Sequence, residues 1–380
     1  MGETPERRDA LRVDEATTLA ELEALRPEWT ALWERAPVAT PFQSPEWLIA
    51  WWRHFGGEGL WTLALRRGGR LVGLAPLFVR REPETGLRQV TMIGRGITDH
   101  LDVLLDLDAR REGSEAIFAH LARRRDRWDL CDFRDVPPDS PLLDAPAPPG
   151  WQDEREVHEV CPALPLPPRA EELAGIIRPG LLEKLRYYRR RAERWGEVRV
   201  DQADERSFDE AFGALLRLHG ARWSARGQTG VLDDPTVQSF HREAARGLLA
   251  RGVLRLYTLR VAGRVAAVYY GFVARQRAYY YLGGFDPELA RLSVGNLVVW
   301  HAIQEAIREG AVEFDFLRGQ EPYKYAWGAK DRPSYRRRLR PLPSGGSAGG
   351  TEEDQATPHP AHRRPAPAAD RAGSPGGAVE

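Results

Sequence analysis

The sequence predicts an α/β protein built of two tandem units, each a mixed sheet flanked by helices. Three observations carry this. Segments of strand and helix pattern alternate along the chain, which argues for sheets covered by helices. The order of two helices, a meander of strands, a crossover helix and a further strand occurs twice. The chain also has 380 residues, more than one domain usually holds, so two packed units are expected.

The first unit opens with a helix over about residues 19–35. A second helix runs from Ser44 to Phe55, with Ser44 as N-cap and Pro45 as its first residue. WTLALRR and LVGLAPLFV form a hairpin turning at Gly68-Gly69. The strands RQVTMIG and LDVLLD, a helix over about 114–125 and the strand WDLCDF complete the unit. Trp47, Trp51 and Trp52 are read as packing residues. The segment Asp139–Pro168 is rich in proline and marks the connection between units. The domains are accordingly set at 12–145 and 171–340, with a proline-rich linker over 146–170. The tails, 1–11 and 341–380, are read as disordered, the second being too rich in Pro, Gly and Ala to build a core.

In the second unit a helix spans Leu181–Trp195, with Leu181, Leu185, Tyr188, Ala192 and Trp195 as its apolar stripe. The next covers Phe208–Trp223, where Ser207 and Glu210 have the spacing of a capping box. A third opens at Asp234-Pro235 and stops before Gly252. The strands VLRLYTLRV, VAAVYYGFV and AYYYLGGF follow, then a helix opening at Ser293-Val294-Gly295-Asn296 and the strand VEFDFL. Period-two alternation puts Val312, Phe314 and Phe316 on one face and Asp315 on the other. There Asp315 is either hydrogen-bonded within the fold or aimed into a cleft. The run Arg318–Gly328 is too polar and aromatic to be a mere connection. His219 and His301, set among apolar neighbours, are read as core histidines.

Basic and acidic residues balance at 55 each, so overall charge makes no case for nucleic acid or an anionic membrane. No stretch approaches the roughly 20 apolar residues of a membrane span, and the N-terminus lacks the apolar run of a secretory signal. Cys131 and Cys161 have neither metal-ligand spacing nor the density of a disulfide framework. A cytoplasmic protein without a metal is expected. The only lysines are Lys184, Lys324 and Lys330. Two of them fall near one another at the polar aromatic run, where a compact ammonium and a planar guanidinium are not equivalent.

Together, the helix mouth at Arg291-Leu292-Ser293-Val294-Gly295-Asn296-Leu297 and the run Arg318-Gly319, Tyr323-Lys324, Trp327-Gly328 resemble the C-terminal half of a GNAT-type acyltransferase. The likeness is to the CelD-like branch and its FemABX relatives. It covers about residues 40–335 and is strongest over 180–330. The resemblance implies acetyl-CoA or another acyl-CoA as donor, its pyrophosphate lying on the helix start formed by Arg291, Ser293, Val294, Gly295, Asn296 and Leu297. The common pattern has further small residues where this chain has Val294 and Asn296; only Gly295 is kept. It further implies Asp315 or Glu321 as proton acceptor and Tyr323 or Tyr325 as donor to the leaving sulfur. Lys324 would bind a phosphate or carboxylate, and Asp286 and Arg318 would contact substrate. The acceptor would be a small molecule or glycan precursor with an amine or hydroxyl, as in polysaccharide or cell-envelope biosynthesis. Two alternatives stand beside this. One is Fem-like transfer from aminoacyl-tRNA, for which Arg186, Arg189, Arg190, Arg191 and Arg194 would offer a basic helix; nucleic acid is otherwise not expected. The other is a degenerate scaffold without catalysis.

Overall fold

The computed structural model describes residues 10–224 and 227–342. The tails read as disordered lie outside these residues, apart from the few positions next to the folded part. The N-terminal half runs β1 (Arg12–Ala16), α1 (Leu19–Ala24), α2 (Arg26–Arg35), α3 (Pro45–Phe55), β2 (Thr62–Arg67), β3 (Arg70–Ala75), β4 (Leu77–Arg81), β5 (Arg88–Met92), β6 (Leu104–Leu105), α4 (Arg110–Arg123) and β7 (Leu130–Val136). A middle segment adds α5 (Pro141–Asp144), β8 (Trp151–Val160) and β9 (Ala163–Pro165). The C-terminal half continues with α6 (Leu181–Glu193), β10 (Val198–Gln202), α7 (Phe208–Ser224), α8 (Pro235–Ala250), β11 (Leu254–Val261), β12 (Arg264–Ala274) and β13 (Arg277–Phe285). It ends with α9 (Val294–Arg308), β14 (Glu313–Asp315), α10 (Pro322–Ala326) and β15 (Pro333–Pro341).

Local chemistry explains most boundaries. Ser44 caps α3 by accepting from the Trp47 amide, with Pro45 in the first turn; Asp234 and Pro235 do the same for α8. The first expected helix is split in two because Pro27 falls in a first turn, where its missing N–H does no harm. The capping box expected at Ser207 does not form. The Ser207 hydroxyl donates to Asp204, and Glu210 pairs with Arg260 instead. On α6 the buried residues are Leu182, Leu185 and Ala192, while Trp195 is exposed. The strand expected over LDVLLD shortens to Leu104–Leu105.

Mixed sheets flanked by helices are present in both halves. In the C-terminal half β10-β11-β12-β13-β14-β9 forms one sheet. The pairs from β10 to β13 are antiparallel, and β13 and β14 are parallel, joined by the crossover helix α9. The N-terminal half has the same device, β5 and β7 parallel on either side of α4. The 146–170 segment is not a free linker. Its strand β8 lies in a sheet with order β4-β5-β7-β15-β8, and β9 pairs with β14. The last strand, β15, assigned by sequence to the second domain, sits in the first half's sheet between β7 and β8. Ion pairs support this exchange: Arg337 pairs with Asp153 at 2.8 Å, Arg338 with Glu154 at 2.9 Å and Arg336 with Glu156 at 3.3 Å. Opposite charges facing across strands stabilise a ladder by some tenths of a kcal/mol each, about 0.2–1.

The halves also share a hydrophobic core. Trp47 of α3 packs edge-on to Phe240 of α8 at 4.9 Å and to Phe272 of β12 at 5.7 Å. On the other face of the C-terminal sheet, α9 packs over β11, β12 and β13 in a separate core.

Candidate functional site

The parallel pair β13–β14 is the key element. Its ladder covers only Arg277–Tyr279 against Glu313–Asp315; beyond it β13 continues to Phe285 while the chain leaves β14. The two strands therefore part. Successive side chains of β13 point to opposite faces, and each face carries a cavity: Tyr279 lines one and Tyr280 the other.

The larger cavity, about 700 Å³, lies between the end of β13, the start of α9, α6 and α10. Four cations line it, Arg178, Lys184, Arg222 and Arg291, and no carboxylate is among its lining residues. The first turn of α9 opens into it. Ser293 adopts the left-handed conformation, φ 53°, and makes no side-chain cap; its Oγ instead accepts from Asn296 Nδ2 at 3.0 Å. The first intrahelical bond runs from the Leu297 amide to the Ser293 carbonyl. The amides of Val294, Gly295 and Asn296 are thus left without helical acceptors, as at any helix start. A Cβ on Gly295 would stand 3.3 Å from the Phe285 ring, so glycine lets the helix mouth approach the strand closely. Arg291 stacks on Trp195, 4.6 Å from its ring.

The smaller cavity, about 210 Å³, lies between the halves. Asp315 lines it, wholly buried, and so faces away from the larger cavity. His100 Nε2 lies 2.7 Å from Asp315 Oδ2, the Leu317 amide donates to Oδ1 at 2.8 Å, and Arg332 pairs with the same carboxylate. Burial would raise the Asp315 carboxyl, yet His100, Arg332 and the Leu317 amide together hold it below the usual range. An ionised Asp315 can only accept, so His100 donates from Nε2 and its second ring nitrogen is Nδ1. That Nδ1 is buried without a hydrogen bond, and His100 itself has φ 54°, a strained setting for a non-glycine residue. Asp102, in the same wall, accepts from Ser140 Oγ and the Val103 amide. Burial outweighs both bonds and pushes its carboxyl up to about 7.

The sequence-derived residues divide between these places. Arg291, Ser293, Val294, Gly295, Asn296 and Tyr323 come together around the larger cavity. Leu297 does not; it is buried in the core. Asp315 lines the other cavity. The remaining candidates are engaged in structure. Lys324 is 2% exposed and donates to the carbonyls of Leu317, Arg318 and Gly319 at 3.0, 2.8 and 2.9 Å. With its hydrogens so used, its 2.7 Å approach to Glu321 is a charge contact rather than a hydrogen bond. Arg318 reaches Asp99 of the N-terminal half at 2.9 Å; burial would lower its guanidinium, but Asp99, Asp135 and Glu159 raise it well above its ordinary value. Asp286 caps a short turn by accepting from the Glu288 amide and pairs with Arg264. The Tyr325 hydroxyl donates to Asp331 at 2.7 Å. His219 is a core histidine, accepting from Trp223 Nε1 at 3.0 Å, and burial pushes it down to about 4.

Sequence reasoning missed Arg178, Arg222, His100, Asp102 and Arg332. None belongs to a motif; each becomes visible only once distant segments are packed. Among the described residues, no cluster of three or more His, Cys, Asp or Glu side chains could hold a metal ion, and no helix is long and apolar enough to cross a membrane.

Residues 181–325 match the family described as "Acetyltransferase (GNAT) domain", so the C-terminal half carries a GNAT-type acyltransferase domain. Similar solved structures extend across both halves. FemX is 12% identical, with 86% of this chain and 96% of that chain covered and a TM-score of 0.63. A conserved protein of unknown function from Bacteroides thetaiotaomicron is 12% identical over 87% and 100%, TM-score 0.54. The C-terminal domain of a putative lysylphosphatidylglycerol synthetase from Agrobacterium fabrum is 14% identical over 84% and 92%, TM-score 0.53. At these identities the likeness is one of fold. No curated protein matches the sequence.

Proposed function

We propose that this protein transfers an acyl group from a CoA thioester to an amine or hydroxyl acceptor. One observation carries the reading: an uncapped helix start opens into a cavity lined by four cations and no carboxylate. Orphan amides and the positive end of the helix dipole suit a diphosphate, and Arg178, Lys184 and Arg291 suit the remaining phosphate charge. The Tyr323 phenol lines this cavity and is the candidate donor to the departing sulfur; Tyr325 is held away by Asp331. The proton acceptor is reassigned from Asp315 and Glu321 to His100, which Asp315 orients, an arrangement in which a carboxylate fixes the tautomer of a base. The acceptor would enter from the cavity between the halves and meet the donor where β13 and β14 part. By resemblance to the CelD-like branch, the acceptor is a sugar amine or hydroxyl of a glycan precursor, handled in the cytoplasm.

A saturable rise in melting temperature with acetyl-CoA or a longer acyl-CoA, abolished by Gly295→Glu, tests the donor site. Glutamate there brings a negative charge and a side chain into the helix mouth. An unchanged response in the variant overturns the assignment.

One observation favours a second reading, Fem-like transfer from aminoacyl-tRNA. Arg186, Arg189 and Arg190 are exposed on α6 and Arg194 just past its end, beside the Leu181, Lys184 and Tyr188 positions that line the cavity. It requires tRNA binding that falls steeply with salt; absence of binding at low salt removes it.

A further inference from the structure

Arg222, near the end of α7, is 7% exposed. Its Nε and Nη2 are buried without a hydrogen bond. Its neighbours are aromatic faces: Phe285 at 5.5 Å and Trp223 at 6.0 Å from the guanidinium. These attract a cation but accept none of its hydrogen bonds in the way a carboxylate does. Arg222 lines the larger cavity, where no carboxylate answers it. Buried charges in proteins are normally paired, because leaving a guanidinium desolvated and unpaired is strongly unfavourable.

Its position separates it from the helix mouth. The α7 helix packs in the core shared with the N-terminal half, whereas α9 packs in the core on the other face of the sheet. Phe285 stands between, touching Gly295 on the α9 side and Arg222 on the α7 side. A diphosphate on the α9 amides leaves the Arg222 donors beyond the ring unmet. We propose that Arg222 is a second anion site, taking a carboxylate or phosphate group distinct from the diphosphate and borne by the acyl chain or by the acceptor. The planar fork of arginine suits such a group, which it can hold through two parallel hydrogen bonds. This deepens the donor reading and rests on it for the ligand's identity.

The test is calorimetric titration and steady-state turnover of the full chain as wild type, Arg222→Gln, Arg222→Lys and Gly295→Glu. The donors are CoA, acetyl-CoA and succinyl-CoA; the acceptors are glucosamine and glucosamine 6-phosphate. Arg222→Gln should leave CoA and acetyl-CoA affinity intact and weaken one anion-bearing partner about tenfold or more, with Lys recovering part. Loss confined to succinyl-CoA assigns the anion to the acyl chain; loss confined to glucosamine 6-phosphate assigns it to the acceptor. Weakening of CoA itself, as in Gly295→Glu, places Arg222 in the diphosphate site and overturns the proposal, as does no change with any probe. Should the wild type bind no CoA, the donor reading fails and inorganic phosphate decides. Protection of wild type and Gly295→Glu but not of Arg222→Gln upholds the anion site, and equal responses overturn it. Arg222→Met adds a folding control. It should raise the melting temperature of the ligand-free chain by removing an uncompensated buried charge, whereas a structural arginine would lower it.

Discussion

Replacing Lys324 by Met separates a structural from a chemical role for this residue. The ammonium is 2% exposed and bonds three successive carbonyls, those of Leu317, Arg318 and Gly319. Leu317 and Gly319 both have positive φ, 58° and 107°, so the turn they form is held rather than intrinsically favoured. Hydrogen bonds to a charged group are worth about 1.5–3 kcal/mol each. They are not additive, and removing the lysine also removes its own desolvation. Breaking one partner of a buried charge contact typically costs about 3–5 kcal/mol, and that is the expected loss. It should appear in urea unfolding as a lowered midpoint with little change in slope. Glu321→Gln in the Lys324→Met background should return part of it, because the carboxylate left behind no longer needs a counter-charge; the cycle of single and double variants measures the coupling. Acyl-CoA binding should survive at temperatures where the variant is folded, since Lys324 does not line that cavity. Full stability with complete loss of turnover would refute this reasoning and restore the lysine to the chemistry.

Two further outcomes follow from the cavity between the halves. His100→Gln should lower kcat by about 10²–10⁴-fold with the donor KM unchanged; a loss expressed only in donor KM would remove His100 as base. Asp102 has a folded-state pKa of about 7 against an ordinary 3.8, so the folded state holds its proton where the unfolded chain has released it. Its contribution is full below about pH 4 and is lost as pH rises through about 7. Wild type should therefore lose stability relative to Asp102→Asn across that window, by a few kcal/mol at most, read by unfolding at a series of pH values; parallel curves would show that the carboxyl is not buried as described.

The elements visible in the sequence are those whose signals are local. Ser44-Pro45 and Asp234-Pro235 announce helix starts, and the three apolar strands before α9 carry their own alternation. The helix mouth at Ser293–Asn296 was legible for the same reason, since its position follows from strand and helix order. The surroundings of the other candidate residues are supplied by partners far along the chain. Nothing around Asp315 reveals that His100, 215 residues away, completes its surroundings. The polar run at 318–328 looked chemical because it holds a lysine, a glutamate and aromatics. In the structure Lys324 satisfies a turn, and Arg318 ties the halves together through Asp99. The strand β8, with burial alternating only weakly, has a sequence of charged residues that reads as surface until β15 supplies the complementary arginines.

The exchange of strands constrains how a site between the halves can work. The middle segment contributes β9 to the C-terminal sheet, beside the strand that carries Asp315, and the C-terminus contributes β15 to the N-terminal sheet. Between these ties lies an aromatic contact of Phe42 and Trp47 with Phe272, Tyr279 and Tyr281. Hinge opening would break a packed core and a strand ladder together, at a price well above that of the small polar domain interfaces for which relative motion is the default. The cavity holding His100 and Asp315 is therefore a fixed gap in a single packed body, suited to holding two reacting groups in one geometry, from which much of the rate of acyl transfer can come. The larger cavity, by contrast, is bounded by α6 and α10, short or solvent-facing elements of one half. In the proposed reaction, adjustment to a long donor would fall to these, while His100 and Asp315 would stay in place.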